Sequence, residues 1–293
     1  MRYPIIVGTD LTEASDDALI QAEVRATRDE VPLTVVHAMS PLLWGTGHDA
    51  DHGDRIRALI RQQFSALTGR RETEYEVIVE RGLAHVVLAR LAVSQQALLV
   101  IGSHMHHGIG HALLRDITER VLSRARGPVL VTRPCNASNR ILVAVDQSFS
   151  TSPALEAAID EARLSDSKLT VLHAIDTGFM QTIAVDLFNG GAYADHPLGQ
   201  GSRVNEARKE LRAELRLRHC DADICVLEGQ AESLIPQVAA RIEAELVVIG
   251  TAHRPTRTSH VTTAVLRHAP CSVLVVDDSD AVAAHPALEI AAG

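Results

Sequence analysis

Leu246–Val276, LVVIGTAHRPTRTSHVTTAVLRHAPCSVLVV, decides the fold of this chain. Its pattern predicts a buried strand, a polar loop that opens on Gly250, a helix and a second buried strand. Leu98–Val131, LLVIGSHMHHGIGHALLRDITERVLSRARGPVLV, has the same order, with Gly102 at the start of its loop. The chain therefore contains this strand–loop–helix–strand segment twice, and the second loop is four residues shorter than the first.

Further matched segments extend the duplication over most of the chain. Ile5–Asp10 matches Ile141–Asp146, and Leu33–Ala38 matches Leu169–Ala174, both 136 positions later. Matches that keep their order along a chain indicate a repeated domain. The predicted boundaries are 1–135 (the first copy), 136–279 (the second copy) and a tail at 280–293.

Length and composition agree with two α/β domains. A chain of 293 residues is long for one domain, and 46% hydrophobic residues with only 3% aromatics predict cores of Ala, Val, Leu and Ile. Such cores are typical of parallel sheets covered by helices. In each copy, apolar strands alternate with helices, as parallel pairing through right-handed crossovers requires.

The charge and the cysteines narrow the partners and the compartment. A net charge of −9 argues against nucleic acid or an anionic membrane as the main partner. We expect no signal peptide and no membrane span, because no apolar run reaches about 18 residues. Four sparse cysteines without a CxxC pair favour unpaired thiols in the cytoplasm.

The matched strand ends predict where a ligand would bind. A doubly wound α/β domain binds ligands outside the carboxyl ends of its strands, at the point where the strand order reverses. Asp10 and Gly102 fall at that edge in the first copy, and Asp146 and Gly250 fall there in the second.

Two segments of the second copy carry a family resemblance. Ile141–Ser148, ILVAVDQS, and Val265–Cys271, VLRHAPC, resemble the universal stress protein family, and the resemblance covers residues 1–279 as a tandem member. It implies two five-stranded parallel sheets of strand order 3-2-1-4-5, each with helices on both faces. Single-domain members dimerise through their last strands, so we expect an intramolecular pseudo-dimer through Val129–Thr132 and Val273–Val276. Pairing would also protect two apolar edges from aggregation.

The loop after the fourth strand departs from the family's ATP-binding pattern in the first copy. ATP-binding members carry G-x2-G-x9-G-[ST] there, because glycines let backbone N–H groups close on the phosphates. The first glycine is Gly102, but Met105 stands at the second, and Arg115 with Asp116 stands at the closing pair. The loop after the fourth strand of the first copy therefore lacks two of the three glycines of the ATP-binding pattern.

The second copy is degenerate in another way. It keeps Gly250 and Thr251 but lacks four loop residues, and Pro255 removes a further backbone donor. We expect weak or absent ATP binding in both copies, while a nucleoside or a nucleotide with fewer phosphates remains conceivable. The residues that the resemblance assigns to this vestigial nucleotide site are Asp10, Val36, Gly102, Ser103, Asp146, Leu172, Gly250 and Thr251.

Several of these residues have a structural interpretation as well. Asp at the end of a strand commonly makes a turn or caps a helix, and we favour that role for Asp10 and Asp146. His37 and His173 end matched strands and are predicted to be hydrogen-bonded core histidines. His104 and His106 are candidate zinc ligands in a histidine-rich loop, although a solvated loop is the interpretation that we favour.

The sequence contains no motif for catalysis. It has no GxSxG elbow, no P-loop lysine and no HExxH. We therefore predict a non-enzymatic stress-response protein that acts through protein contacts or weak ligand sensing, without a firmly assigned cofactor. The alternatives are an ATP-binding stress protein with one competent copy, and a nucleotide- or flavin-using enzyme on a related fold. A homo-oligomer or a protein partner remains open, as do the stress and the ligand.

Overall fold

The computed structural model describes residues 3–39, 49–103, 111–134, 137–146, 152–176, 200–251 and 259–277. Two sequence predictions fall outside these ranges: the zinc site at His104 and His106, and the tail at 280–293. None of the helices in the described ranges is long and apolar enough to cross a membrane.

Strands and helices alternate along both copies, as the apolar pattern predicts. The strands are β1 Ile5–Gly8, β2 Leu33–Met39, β3 Glu76–Arg81, β4 Leu98–Gly102, β5 Val129–Thr132, β6 Arg140–Val145, β7 Lys168–Ile175, β8 Asp223–Glu228, β9 Leu246–Thr251 and β10 Ser272–Asp277. The helices are α1 Asp16–Asp29, α2 Asp49–Thr68, α3 Ala84–Gln95, α4 His111–Leu122, α5 Pro153–Ser165, α6 Gln200–Leu217, α7 Ala231–Arg241 and α8 His260–His268.

The described chain divides into two compact units that differ from the sequence copies by one strand. Among the described residues, the first unit comprises those up to 134 together with Cys271–Asp277, and the second unit comprises the remaining ones. Strand β10 therefore belongs to the first unit in space, although it belongs to the second copy in sequence. It pairs antiparallel with β5, and Val273 faces Val131 in this register.

Within the first unit, the parallel strands follow the order β3-β2-β1-β4-β5, as predicted. The second unit has the matching order β9-β6-β7-β8, also parallel. The α/β class with mostly parallel pairing is thus confirmed. The domain boundaries and the pseudo-dimer arrangement of the copies stay predictions.

The central strands of each unit are buried because their side chains are apolar on both faces of the sheet, whereas β3 and β8 are partly exposed. Val7 and Leu99 in the first unit, like Val143 in the second, are 0% exposed. Helix α1 reaches the sheet through Ala18 and Ala22, which are also fully buried. Such small side chains let a helix approach a sheet closely, as the alanine spacing predicts.

A glycine follows the third strand of each copy and makes the same turn. Gly82 after β3 and Gly229 after β8 have φ of +151° and +140°, a region that other residues rarely adopt. Each donates its N–H to the end of the neighbouring strand, Gly82 to Met39 O and Gly229 to Ile175 O, both at 3.0 Å. The two copies therefore make the same turn with the same hydrogen bond.

Candidate functional site

The segment Thr9–Ser15 (the first loop) leaves β1 through a tightly bonded turn. Asp10 Oδ1 accepts hydrogen bonds from the Thr12 N–H at 3.0 Å and from Thr12 Oγ1 at 2.6 Å. Leu11 between them has φ of +66°, and its N–H donates to Thr9 Oγ1 at 3.0 Å. The Asp10 carboxylate therefore makes a turn, which is the structural role favoured from the sequence.

Buried hydroxyl groups hold the same loop from inside. Ser15 Oγ donates to Thr12 O at 2.8 Å and lies 2.9 Å from Thr9 Oγ1. On the other side, His37 Nδ1 donates to Thr9 O at 2.9 Å, since a carbonyl can only accept. This contact confirms the predicted hydrogen bond of His37, although the residue is half-buried and does not lie in the core.

Gly102, the last residue of β4, packs against the backbone of the first loop. A Cβ atom at Gly102 would lie 2.8 Å from Ala14 O, a backbone atom that cannot move aside without shifting the loop. The glycine therefore has a packing role that is independent of any ligand. The next residue, Ser103, donates its N–H to Thr132 O at 2.9 Å, while its buried Oγ makes no hydrogen bond within the described residues.

Two of the predicted site residues have side chains that are buried in the core. Val36 and Leu172 are 1% and 0% exposed in the interiors of β2 and β7. The Val36 carbonyl is also occupied, because it accepts the Thr9 N–H at 2.9 Å. The structure thus places Gly102 against the first loop, with Ser103 next in the chain, and it buries the Val36 side chain; a nucleotide role for these residues stays a prediction.

The second copy repeats part of this arrangement. His173 Nδ1 donates to Val145 O at 3.0 Å, the counterpart of the His37 contact. Asp146 follows β6 and is exposed, and Gly250 and Thr251 are half-buried at the end of β9. Residues 147–151 and 252–258 lie outside the described ranges, so Pro255 has no structural account.

The first loop and the start of α1 are acidic. Asp16 and Asp17 occupy the first turn of α1, where the positive end of the helix dipole stabilises carboxylates. Burial, and then the neighbouring Asp16 charge, raise the pKa of Asp17. Gln63 of α2 donates to Asp16 Oδ1 at 2.7 Å. Sequence analysis missed Gln63, because no local pattern shows that α2 reaches this edge.

The predicted metal site is not among the described residues. Within the described ranges, no group of three His, Cys, Asp or Glu side chains could hold a metal ion. His104 and His106 fall outside them, so zinc binding stays a hypothesis.

Comparisons with known proteins agree with the fold and the duplication. The model of the universal stress protein family matches residues 1–133 and again 138–277. A universal stress protein of Mycolicibacterium smegmatis is 25% identical over 200 residues, which are 60% of this chain and 66%, just under two thirds, of that relative.

Solved structures show the same fold over the whole chain. A universal stress protein from Archaeoglobus fulgidus is 17% identical, with 94% of this chain and 97% of that chain covered and a TM-score of 0.65. A putative universal stress protein from Pseudomonas aeruginosa UCBPP-PA14 is 22% identical, with 96% of each chain covered and a TM-score of 0.65. The two successive matches account for both copies, and the chain belongs to the universal stress protein family as a tandem member.

Proposed function

We propose that this protein is a cytoplasmic, non-enzymatic stress-response protein that acts through protein contacts or weak ligand sensing. The observation that carries the ligand part is the charge that follows β1. Four carboxylates, those of Asp10, Glu13, Asp16 and Asp17, occur within eight residues at the predicted ligand edge. They repel a polyphosphate and disfavour ATP more than a nucleoside.

The polar groups of the edge support a ligand with few phosphates. Ser103 Oγ is buried and makes no hydrogen bond with any described residue, and a hydrogen bond to a ribose or base atom would satisfy it. Tight phosphate binding needs several converging backbone N–H groups, which glycines supply most easily. Met105 and Arg115 stand at two of the family's three glycine positions. Weak binding of a nucleoside or a nucleoside monophosphate follows from these observations.

The positions of the titratable side chains with shifted pKa values support a non-enzymatic role. Residues with shifted pKa values gather at active sites. In the described part of the chain, the groups with shifted pKa values are Asp17 in α1, Glu74 before β3, His85 in α3, Arg133 after β5 and Cys220 after α6, and they belong to separate segments. Their separation gives no support to a shared catalytic centre.

Titration calorimetry with ATP, AMP and adenosine in the presence of magnesium tests the proposal. At the edge formed by the first loop and Gly102, we expect ATP to bind no more tightly than adenosine, and we expect no phosphate release from ATP above the buffer rate. A micromolar dissociation constant for ATP, or catalytic release of phosphate, would instead identify an ATP-binding protein or an enzyme.

A charge variant tests the physical cause. Glu13 is exposed in the first loop, and Glu13→Gln removes one carboxylate without removing a hydrogen bond that holds the turn. It should strengthen ATP binding relative to adenosine, whereas Glu210→Gln, on exposed α6, should leave the ratio unchanged. An unchanged ratio in Glu13→Gln would contradict the electrostatic explanation.

A further inference from the structure

Helix α6 in the second unit carries a stripe of arginines on one face. Arg208, Arg212 and Arg216 follow one another at intervals of four residues, so their side chains lie along the same side of the helix. Like charges at this spacing repel one another. Within the described ranges, none of the three makes an ion pair, whereas Glu214 on the same helix pairs with Arg218 at 3.0 Å.

A tight chain reversal places a cleft beside this stripe. Cys220 donates its N–H to Leu215 O at 2.9 Å, and His219 before it has φ of +49°, which turns the chain back at the end of α6. The chain then enters β8 at Asp223. The three arginines, Leu215 and Ile224 are among the residues that line a cleft of about 590 Å³ between α6 and the start of β8. Its size is that of a small-molecule site.

We propose that this cleft (the arginine cleft) binds a small molecule with several phosphate groups through Arg208, Arg212 and Arg216. Guanidinium groups match phosphate oxygens with two parallel hydrogen bonds each. Eight residues of helix span about 12 Å, so the three side chains suit an extended anion rather than a single phosphate. The apolar side chains of Leu215 and Ile224 contact the organic part of the ligand.

The other groups of the cleft select for multiple charge. Asp221 and Asp223 also line it, and their carboxylates repel any anion. A ligand with one negative charge gains little, whereas one with several charges can engage all three guanidinium groups. Burial raises the pKa of the Cys220 thiol, so this side chain stays neutral and adds no negative charge. The Arg163 guanidinium, which donates to Arg218 O at 2.9 Å, also acts on Cys220 electrostatically and adds positive charge nearby.

Calorimetry with inorganic tripolyphosphate tests the proposal on the whole chain. We expect saturable binding of tripolyphosphate and binding of orthophosphate that is weaker by about tenfold or more. The double variant Arg212→Gln/Arg216→Gln should weaken tripolyphosphate binding by about tenfold or more. The control Arg203→Gln/Lys209→Gln removes the same charge from the same helix outside the cleft lining and should change binding by less than about twofold.

Three results would overturn the proposal. They are the absence of saturable tripolyphosphate binding, an equal loss of affinity in the two double variants, and tighter binding of a glutamate-rich peptide than of tripolyphosphate. The last result would identify the cleft as a site for an acidic protein segment. Thermal melting followed by circular dichroism checks that each variant is folded, and single variants at Arg212 and Arg216 replace a double variant that is not. Titrations of ATP and adenosine with the Arg212→Gln/Arg216→Gln chain measure binding outside the arginine cleft, so failure of this proposal is distinct from failure of the adenine-ligand proposal.

Discussion

Replacing Gly102 with alanine should destabilise the protein even in the absence of any ligand. The new Cβ would lie 2.8 Å from Ala14 O, so either β4 or the first loop must shift. Overpacking of this kind costs about 1–3 kcal/mol, while loss of glycine's freedom in the unfolded chain returns about 0.4–1 kcal/mol. We therefore expect a net loss of about 1–2 kcal/mol in the free energy of unfolding.

Gly8→Ala is the matched control, because it also adds a methyl group at the end of a central strand. Its Cβ would lie 2.9 Å from Leu88 Cδ1, the far end of a side chain that can rotate. A backbone carbonyl has no comparable freedom, so the control should lose clearly less stability. Urea unfolding followed by circular dichroism gives both values, and each kcal/mol corresponds to about 2–4 °C in melting temperature for a protein of this size.

The reasoning would be refuted if Gly102→Ala were as stable as the original protein, or if Gly8→Ala lost as much. The outcome also affects how nucleotide titrations are read. A Gly102 variant that loses ligand binding after losing its loop geometry says nothing about phosphate contacts, which is why Glu13→Gln is the better variant for the ligand proposal.

Three further predictions concern stability. Gly82→Ala and Gly229→Ala should each lower the free energy of unfolding by about 1–3 kcal/mol because both glycines have a positive φ. Urea unfolding should show the larger loss at Gly82, because its Cβ would lie 2.8 Å from Val87 Cγ2, whereas the Cβ at Gly229 would lie 3.3 Å from Leu234 Cδ1. Ser272→Ala should lower the free energy of unfolding by about 1–3 kcal/mol, because buried Ser272 Oγ accepts the Arg133 N–H at 3.1 Å and donates to Gln21 Oε1 at 2.9 Å. The control Ser123→Ala should change the midpoint of urea unfolding little, and equal losses in the two variants would contradict this account. Burial lowers the pKa of His85 from its ordinary 6.5, so the unfolded chain binds a proton that the folded chain does not, and stability should fall as the pH drops from 6.5 towards the lowered value. In this pH range, His85→Gln should reduce the slope of a plot of melting temperature against pH. An unchanged slope would exclude His85 as the source of the pH dependence.

The repeated patterns determined the elements and much of the core. Continuous apolar runs predicted β1, β4 and β6 because a strand buried on both faces needs apolar side chains at every position. Alanines at helical spacing likewise predicted the buried face of α1. Helix α1 begins at Asp16, after a 3₁₀ turn at Glu13–Ser15 in which Ser15 donates its N–H to Thr12 O at 3.0 Å.

The candidate site was predicted only in part. Asp10 and Gly102 were assigned because they sit at matched strand ends, and the structure shows the turn role of Asp10; their part in ligand binding stays a prediction. Val36 was assigned by family resemblance, but its side chain lies in the core. Resemblance aligns positions along a strand, whereas the side to which each residue points and its depth depend on the sheet.

The sequence by itself determined the duplication, the α/β class and the order of the elements, since all three depend on patterns within short stretches. Only the tertiary structure showed that Gly102 approaches Ala14, that Gln63 reaches Asp16, and that strand β10 joins the first unit. It alone brought the arginines of α6 beside the start of β8. Each of these contacts joins residues that lie apart along the chain, and such pairs meet only when helices pack on a sheet whose strands have already been ordered.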